Sequence, residues 1–560
     1  MTGNILKKTR TWVIAAAIAV AGIGSYSFTD EYFEISRNMD IFATLFRELN
    51  IYYVDETKPG DLMKKGIDSM LESLDPYTNY IPESEIEDYR FMTTGQYGGI
   101  GALIGQKGDQ VVITDPYEGF PAQKADLRAG DVIIEIDGKA VKGKKYDEIS
   151  KILKGQPKTP VKLLVKREGE KDPIEKTVMR EEIKINSVPY YGMLDDEIGY
   201  IRLTGFTDNA GGEVRDALLE LKSKNNVKSV VLDLRGNPGG LLNEAVNITN
   251  IFVDKGVDVV NTKGKVKEWD KTYKALNNPV DTQIPLAVLV NSGSASASEI
   301  VSGSIQDLDR GIIIGQRTFG KGLVQTTRPL SYNSQLKVTT AKYYIPSGRC
   351  IQALDYTHRN EDGSVGKIPD SLVSEFKTKS GRLVYDGGGI APDFATEPEY
   401  LSNIAQSLLS KQLIFDYATQ YRIRHASIPA AKDFRISDAE YTEFVTWLND
   451  KEYDYTTKSE KTFDELKEIA MKEKYYDGMK EQFESLRKSL MHDKQADLIK
   501  NKDEIKQLLQ DEIASRYYYQ KGRIEASFPY DPEITKAIEA LKNKEVFTAI
   551  MNRKPETMKK

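Results

Sequence analysis

The sequence has 560 residues, of which 40% are apolar and 29% charged, and a net charge of −6. That length exceeds what one hydrophobic core serves, so three or four domains are expected; the mild acidic balance argues against a nucleic-acid binder, which is usually basic. The only cysteine, Cys350, excludes an intrachain disulfide.

The first residues have the pattern of an export signal. Lys7, Lys8 and Arg10 precede the uncharged stretch Trp12–Gly24, and small residues follow, with Ala19-Val20-Ala21 as a candidate cleavage site. The alternative is an uncleaved anchor, although the uncharged run to Phe28 is short for crossing a bilayer. In either case the basic end stays cytoplasmic and the rest lies outside, in the periplasm or on the outer face of the inner membrane. Residues 1–28 are therefore read as signal peptide or membrane anchor.

Residues 29–94 read as helical. Ile41, Leu45, Leu49, Tyr52 and Tyr53 recur at helical spacing, and so do Leu62, Met63, Ile67, Met70, Leu71 and Leu74. The second run stops at Asp75-Pro76, because proline disfavours helix in the residue before it.

From 95 to 182 the pattern becomes β-rich. A glycine turn leads into Ala102-Leu103-Ile104, and Val111-Val112-Ile113 gives a second strand. A helix, a turn at Gly130 and a strand ending at Asp137-Gly138 follow, then a helix from Tyr146 and a last strand through Leu163-Leu164-Val165. L-R-A-G-D-x-I-x-x-I-D-G closely resembles the PDZ fold. PDZ domains hold an extended peptide by strand addition and capture its carboxylate on backbone amides. The resemblance implies that Gly98, Gly99, Ile100 and Gly101 form the carboxylate-binding loop.

Residues 183–395 alternate strands and helices, which argues for an α/β core. V-V-L-D-L-R-G-N-P-G-G closes a strand on a turn ahead of a helix, and L-A-V-L-V runs through G-S-A-S-A-S-E-I into another. A side chain at such a strand–turn–helix junction meets free backbone N–H groups and the positive end of the helix dipole. A serine there is a nucleophile if something takes its proton. The three histidines, His358, His425 and His492, lie in a polar loop and a charged tail, so a Ser-His-Asp triad is poorly supported. A lysine is the other base, provided burial keeps it neutral. Lys321, flanked by Gly320 and Gly322 after an apolar strand, is the candidate; a plain surface-turn lysine is the bland alternative.

G-S-A-S-A-S-E-I followed by F-G-K-G-x-x-Q resembles the C-terminal processing peptidases, the S41 serine peptidases. D-L-R-x-N-P-G-G, L-D-P-Y-T-N-Y-I and G-I-A-P-D extend the likeness to residue 393; G-R-C-I-Q departs from the usual G-R-S-I-Q by placing Cys350 at the serine. The resemblance implies Ser296 as nucleophile, Lys321 as general base and Gln325 as the residue orienting the lysine. It also implies an oxyanion hole from the amide of Ala297 and that of Gly239 or Gly240, between which the sequence does not choose. Asp233 and Arg235 read as braces for the loop.

Residues 396–560 are charged and helical. One apolar stripe runs through Met479, Phe483, Leu486 and Leu490, another through Ile505, Leu508, Leu509 and Ile513. Closing the cleft, oligomerisation and adaptor binding are the roles open to this tail. The expected architecture is thus a multidomain α/β and α+β chain: N-terminal helices, a PDZ domain, a crotonase-like α/β protease core and a helical tail. The expected activity is serine endopeptidase, without metal or organic cofactor, on unfolded or C-terminally exposed proteins. A non-catalytic PDZ scaffold and acyl-CoA chemistry on the crotonase-like fold are the competing classes. The intact Ser296, Lys321 and Gln325 argue against the first, and the export signal argues against the second.

Overall fold

The computed structural model describes residues 32–490 and 493–551. The expected export segment and His492 lie outside them. Two compact units divide at residue 80.

In the first unit a helix over 32–52 is followed by the helix Pro59–Glu72, which carries proline in its first turn, where no N–H is needed. Asp75 explains the end of this region. Its carboxylate accepts from the amides of Tyr77 and Thr78, each at 2.8 Å, and from the Thr78 hydroxyl at 3.1 Å. Among the described residues, no helix is long and apolar enough to cross a membrane.

The second unit begins with the PDZ-like domain. Its sheet runs in the order Ala102–Lys107, Gln110–Pro116, Val132–Ile136, Pro160–Lys166, Ile174–Met179. Ile113, Ile149, Val161, Leu163 and Val165 fill its core, as the alternation of the sequence requires. Asp137 and Gly138 both take positive φ, which closes the tight hairpin expected there. Ala102–Lys107 is an edge strand, with the helix Tyr146–Leu153 packed close to it.

The α/β core is a six-stranded sheet. Ile198–Arg202, Ser229–Asp233, Leu286–Val290 and Ile312–Gly315 lie parallel and adjacent in that order. Tyr190–Met193 closes one edge antiparallel, and Phe394–Ala395 closes the other. The central strands Ser229–Asp233 and Leu286–Val290 are buried throughout, which accounts for their unbroken apolar reading. The helices Ala210–Lys224, Leu242–Phe252 and Ala297–Asp307 cover one face. A second sheet carries two hairpins, Asp258–Gly264 with Lys271–Lys274 and Leu323–Pro329 with Gln335–Tyr344.

The tail folds back onto both neighbours. Ile534, Ala537 and Ala540 of the helix Pro532–Lys542 pack on Val231, Ala287, Leu289, Ile312 and Ile314, so this late helix covers the other face of the six-stranded sheet. Further up, Lys107 pairs with Asp416 at 2.6 Å, the Gln412 amide donates to Gln106 O at 3.0 Å, and Gln123 Nε2 donates to the Tyr519 hydroxyl at 2.6 Å. Those contacts tie the tail to the PDZ-like domain. Of the two predicted stripes, Ile505, Leu509 and Ile513 are fully buried in the tail's core. In the other, Phe483 is buried while Met479 and Leu486 stay about half exposed.

Candidate active site

Two loops meet at the end of the parallel strands. One is the Asn237-Pro238-Gly239-Gly240 turn after Ser229–Asp233; the other is the serine-rich turn after Leu286–Val290. Asn237 joins them. Fully buried, it donates from Nδ2 to Leu203 O at 2.9 Å and accepts the Gly239 amide on Oδ1 at 2.9 Å. Its carbonyl accepts from the Ala295 amide at 3.0 Å and the Ser298 hydroxyl at 2.9 Å.

The serines of the turn divide by what their hydroxyls do. Ser294 donates to Leu234 O at 2.9 Å and Ser298 to Asn237 O, so both stitch the loops together. Between them Ser296 has no hydroxyl acceptor among the described residues. It is the N-cap of the helix Ala297–Asp307, with φ 56° and ψ −112°. A non-glycine residue in that region is strained by roughly 1–3 kcal/mol and persists only where its surroundings fix it.

Glu299 does much of the fixing. It stands at the third position of the helix and closes a capping box with Ser296. One carboxylate oxygen accepts the Ser296 and Lys321 amides, both at 2.8 Å. The other accepts the Thr318 hydroxyl at 2.6 Å and the Gly320 amide at 2.7 Å. One fully buried side chain therefore holds the backbone of both predicted reacting residues, and burial pushes its carboxyl up to about 7 despite those donors. From the opposite side the Tyr343 hydroxyl meets the carbonyls of the same two residues, that of Ser296 at 3.1 Å. Gly322 is fastened by Gln352 Oε1 at 2.8 Å, which gives the G-R-C-I-Q segment a bracing part. Glu299, Tyr343, Asn237 and Gln352 were not singled out from sequence. Only Glu299 had a readable signal, the S-x-x-E spacing of a capping box.

Gln325 is the third residue of the strand Leu323–Pro329 that follows Lys321, and its Nε2 donates to Thr339 Oγ1 at 3.2 Å. The two glycines of the turn are distinguished here. A Cβ on Gly239 would lie 2.7 Å from Ala295 O and 2.9 Å from both Ala297 N and Ser296 Cβ, so only glycine allows the turn to approach the serine. Its amide, however, is taken by Asn237. The Gly239 carbonyl accepts from Phe206 N at 3.1 Å, so the Gly240 N–H, antiparallel across the same peptide, points the other way. Neither it nor the Ala297 amide has an acceptor among the described residues.

Asp233 is fully buried between Arg202, Arg235 and the Tyr200 hydroxyl, and the two guanidiniums hold its carboxyl well below the usual range. Arg235 also reaches Asp531 at 2.7 Å and Glu533 at 3.1 Å, so the bracing predicted for this pair extends to the tail. His358 is 84% exposed and pairs with Asp355, while His425 faces Tyr421 O. Burial raises the Cys350 thiol, which does not favour it as a nucleophile. Among the described residues no His, Cys, Asp and Glu group has metal-holding geometry.

In the PDZ-like domain, Gly98 and Gly99 lie in the strand Gln96–Gly99, paired with Glu181–Lys184. Gly98 is needed for close packing: a Cβ there would meet Gly155 O at 2.2 Å. Ile100 and Gly101 follow at the open edge. Their carbonyls accept from Ala122 N at 2.7 Å and Tyr117 N at 2.9 Å, and their amides have no acceptor among the described residues. The four residues thus separate into a ladder pair and a loop pair.

Comparison with known proteins places these elements. Residues 197–358 match the family model "Peptidase family S41", 112–167 match "PDZ domain", and 404–541 match "Probable PDZ-protease, C-terminal helical domain". The chain is 38% identical over 319 residues to a carboxy-terminal-processing protease of Bartonella bacilliformis, covering 56% of this chain and 73% of that one. It is 38% identical over 354 residues to a probable CtpA-like serine protease of Staphylococcus aureus, covering 63% and 69%. A solved photosystem II D1 C-terminal processing protease is 30% identical, with coverage of 64% and 93% and a TM-score of 0.36.

Proposed function

The chain belongs to peptidase family S41 as a C-terminal processing serine protease with a PDZ domain, and on that premise we propose that it cleaves exported proteins at or near their C-termini through a Ser296/Lys321 dyad. The observation that carries the dyad is the shared clamp. Ser296, whose hydroxyl alone of the three turn serines 294, 296 and 298 donates to no acceptor among the described residues, and Lys321 are held by the same Glu299 oxygen and the same Tyr343 hydroxyl.

Neutral Lys321 takes the hydroxyl proton, and Ser296 Oγ attacks the scissile carbonyl. The developing oxyanion is held by the amides of Gly240 and Ala297; Gly240 is preferred over Gly239 because the latter's amide is spent on Asn237. Gln325, whose amide nitrogen is engaged by Thr339, offers its Oε1 to Lys321 Nζ and holds it in place. Lysine then protonates the leaving amine, and water resolves the acyl-enzyme by the same route. The PDZ domain reads the substrate terminus by adding it to the open edge of Ala102–Lys107, with its carboxylate on the amides of Ile100 and Gly101. The basic-then-apolar start of the sequence supports export, with the catalytic unit outside the cytoplasm.

Hydrolysis of β-casein by the full chain tests this reading, compared with Ser296→Ala and Lys321→Ala across pH. Cleavage abolished by both substitutions and rising with pH as a lysine deprotonates is expected. Cleavage that survives either substitution rejects the dyad.

A further inference from the structure

Two lysines face each other beside the cleft. Lys263 and Lys342 are directly opposed in the antiparallel pairing of Asp258–Gly264 with Gln335–Tyr344. Like charges placed opposite each other in a sheet repel. Neither lysine is paired with a carboxylate among the described residues, and both are exposed. Lys263 instead lies over the Tyr344 ring, 4.8 Å from its centre. The acids nearby are engaged elsewhere: Asp270 accepts the Gly264 amide at 2.8 Å and faces Lys267, Asp258 pairs with Lys274 at 3.0 Å, and Asp386 accepts the Ser374 amide at 2.7 Å. In a chain of net charge −6, this is a local excess of positive charge with no carboxylate paired to it among the described residues.

Its position gives it a use. On its other side Lys342 is paired with Leu323, two residues beyond Lys321 and just ahead of the register shift at Val324/Gln325. The lysine pair therefore lies on the strands next to the one that follows Lys321. Strand spacing of ~4.8 Å and a rise of ~3.3 Å per residue place it roughly 10 Å from Lys321, about three residues of extended substrate.

We propose that Lys263 and Lys342 form a carboxylate subsite of the cleft, taking an acidic side chain or the substrate's own C-terminal carboxylate about three residues from the scissile bond. The proposal rests on the protease reading above and adds a preference to it. Two exposed ammonium groups on directly paired residues of adjacent strands supply the hydrogen-bond donors a carboxylate needs, and the repulsion between them is relieved when it binds.

The test uses one peptide taken from a site that the full chain cleaves in β-casein, made with Glu or Gln three residues from the bond and with a free or amidated C-terminus. The parent enzyme should prefer the acidic forms by about fivefold to tenfold in kcat/KM, with the preference fading in high salt, as for partly exposed ion pairs. Lys263→Gln/Lys342→Gln should remove the preference, bringing the Glu and Gln peptides to the same kcat/KM. Lys263→Arg/Lys342→Arg, which keeps the charge, should retain it. Loss of rate on amidation that the Gln double variant no longer shows identifies the chain terminus as the ligand of the pair rather than of the PDZ domain, and loss on Glu→Gln that the double variant no longer shows identifies a side chain. A parent enzyme indifferent to charge, or a Gln double variant that still discriminates, overturns the proposal. Binding of the same fluorescein-labelled peptides to the Ser296→Ala chain separates the two readings. Cleavage by that chain defeats the dyad, while equal affinity for acidic and neutral peptides defeats the subsite.

Discussion

Glu299 carries more of the site than any residue named from the motif. Four donors converge on its buried carboxylate, and glutamine replaces one acceptor oxygen with an NH₂ that faces donors. Glu299→Gln should therefore lower kcat by about 10²-fold or more with a smaller change in KM, and destabilise the fold by roughly 1–3 kcal/mol per unmatched donor. Its titration has opposite effects on stability and activity. An unfolded glutamate releases its proton near 4.5, whereas the folded one holds it to about 7. Between these values the native state binds more protons than the unfolded state, so the contribution to stability falls as pH rises through the window and stays low above it. Activity should move the other way, because a protonated Glu299 cannot accept all four donors. An acid limb in kcat near pH 7 that disappears in Glu299→Gln, leaving the lysine limb, is the expected profile. The S-x-x-E spacing was legible as a helix start, but nothing local to 296–299 announces donors from Thr318, Gly320 and Lys321. A loop about twenty residues downstream must fold back before they meet.

Among elements, the Asn237-Pro238-Gly239-Gly240 turn shows what a motif conceals. Sequence placed it ahead of a helix with outward amides but left its two glycines equivalent. They differ because Asn237, itself buried, takes one amide and leaves the other. Asn237→Ala should free the Gly239 amide, slacken the contact to Ser298, and cost about 1–3 kcal/mol in urea unfolding together with a clear loss of kcat. Gly239→Ala is the harsher change, since its Cβ has no room against Ala295 and Ser296; casein hydrolysis should fall by at least about 10³-fold, more than one lost oxyanion donor explains. In the PDZ domain the strands and hairpin were readable from alternation and from Asp137-Gly138. That Gly98 and Gly99 belong to a ladder with Glu181–Lys184 was not, because a strand partner more than eighty residues away leaves no mark on a glycine pair.

Across the whole molecule, the parallel core was recoverable from its unbroken apolar strands, and the tail was recoverable only as helices. Its placement depends on contacts between distant segments, such as Arg235 with Asp531 and Glu533, and Ile534 against Ile312 and Ile314. Removing residues 531–560 should strip two counter-charges from the Arg202–Asp233–Arg235 cluster and expose one face of the catalytic sheet. Loss of a buried charge partner alone is worth about 3–5 kcal/mol. A drop in melting temperature of more than about 10 °C with loss of casein hydrolysis is therefore expected. A truncated chain that melts and cleaves like the parent would make the tail an accessory.

The docking of Pro532–Lys542 on the sheet also sets an order of events during biogenesis. A chain is made from its N-terminus, so Ser296 and Lys321 emerge more than two hundred residues before the helix that completes the sheet beneath them. Until residues 531–542 arrive, Asp233 and Arg235 lack part of their charge balance, and the turn they brace has no fixed floor. Synthesis order thus predicts that the Asn237–Gly240 turn becomes fully braced only after residues 531–542 have been made.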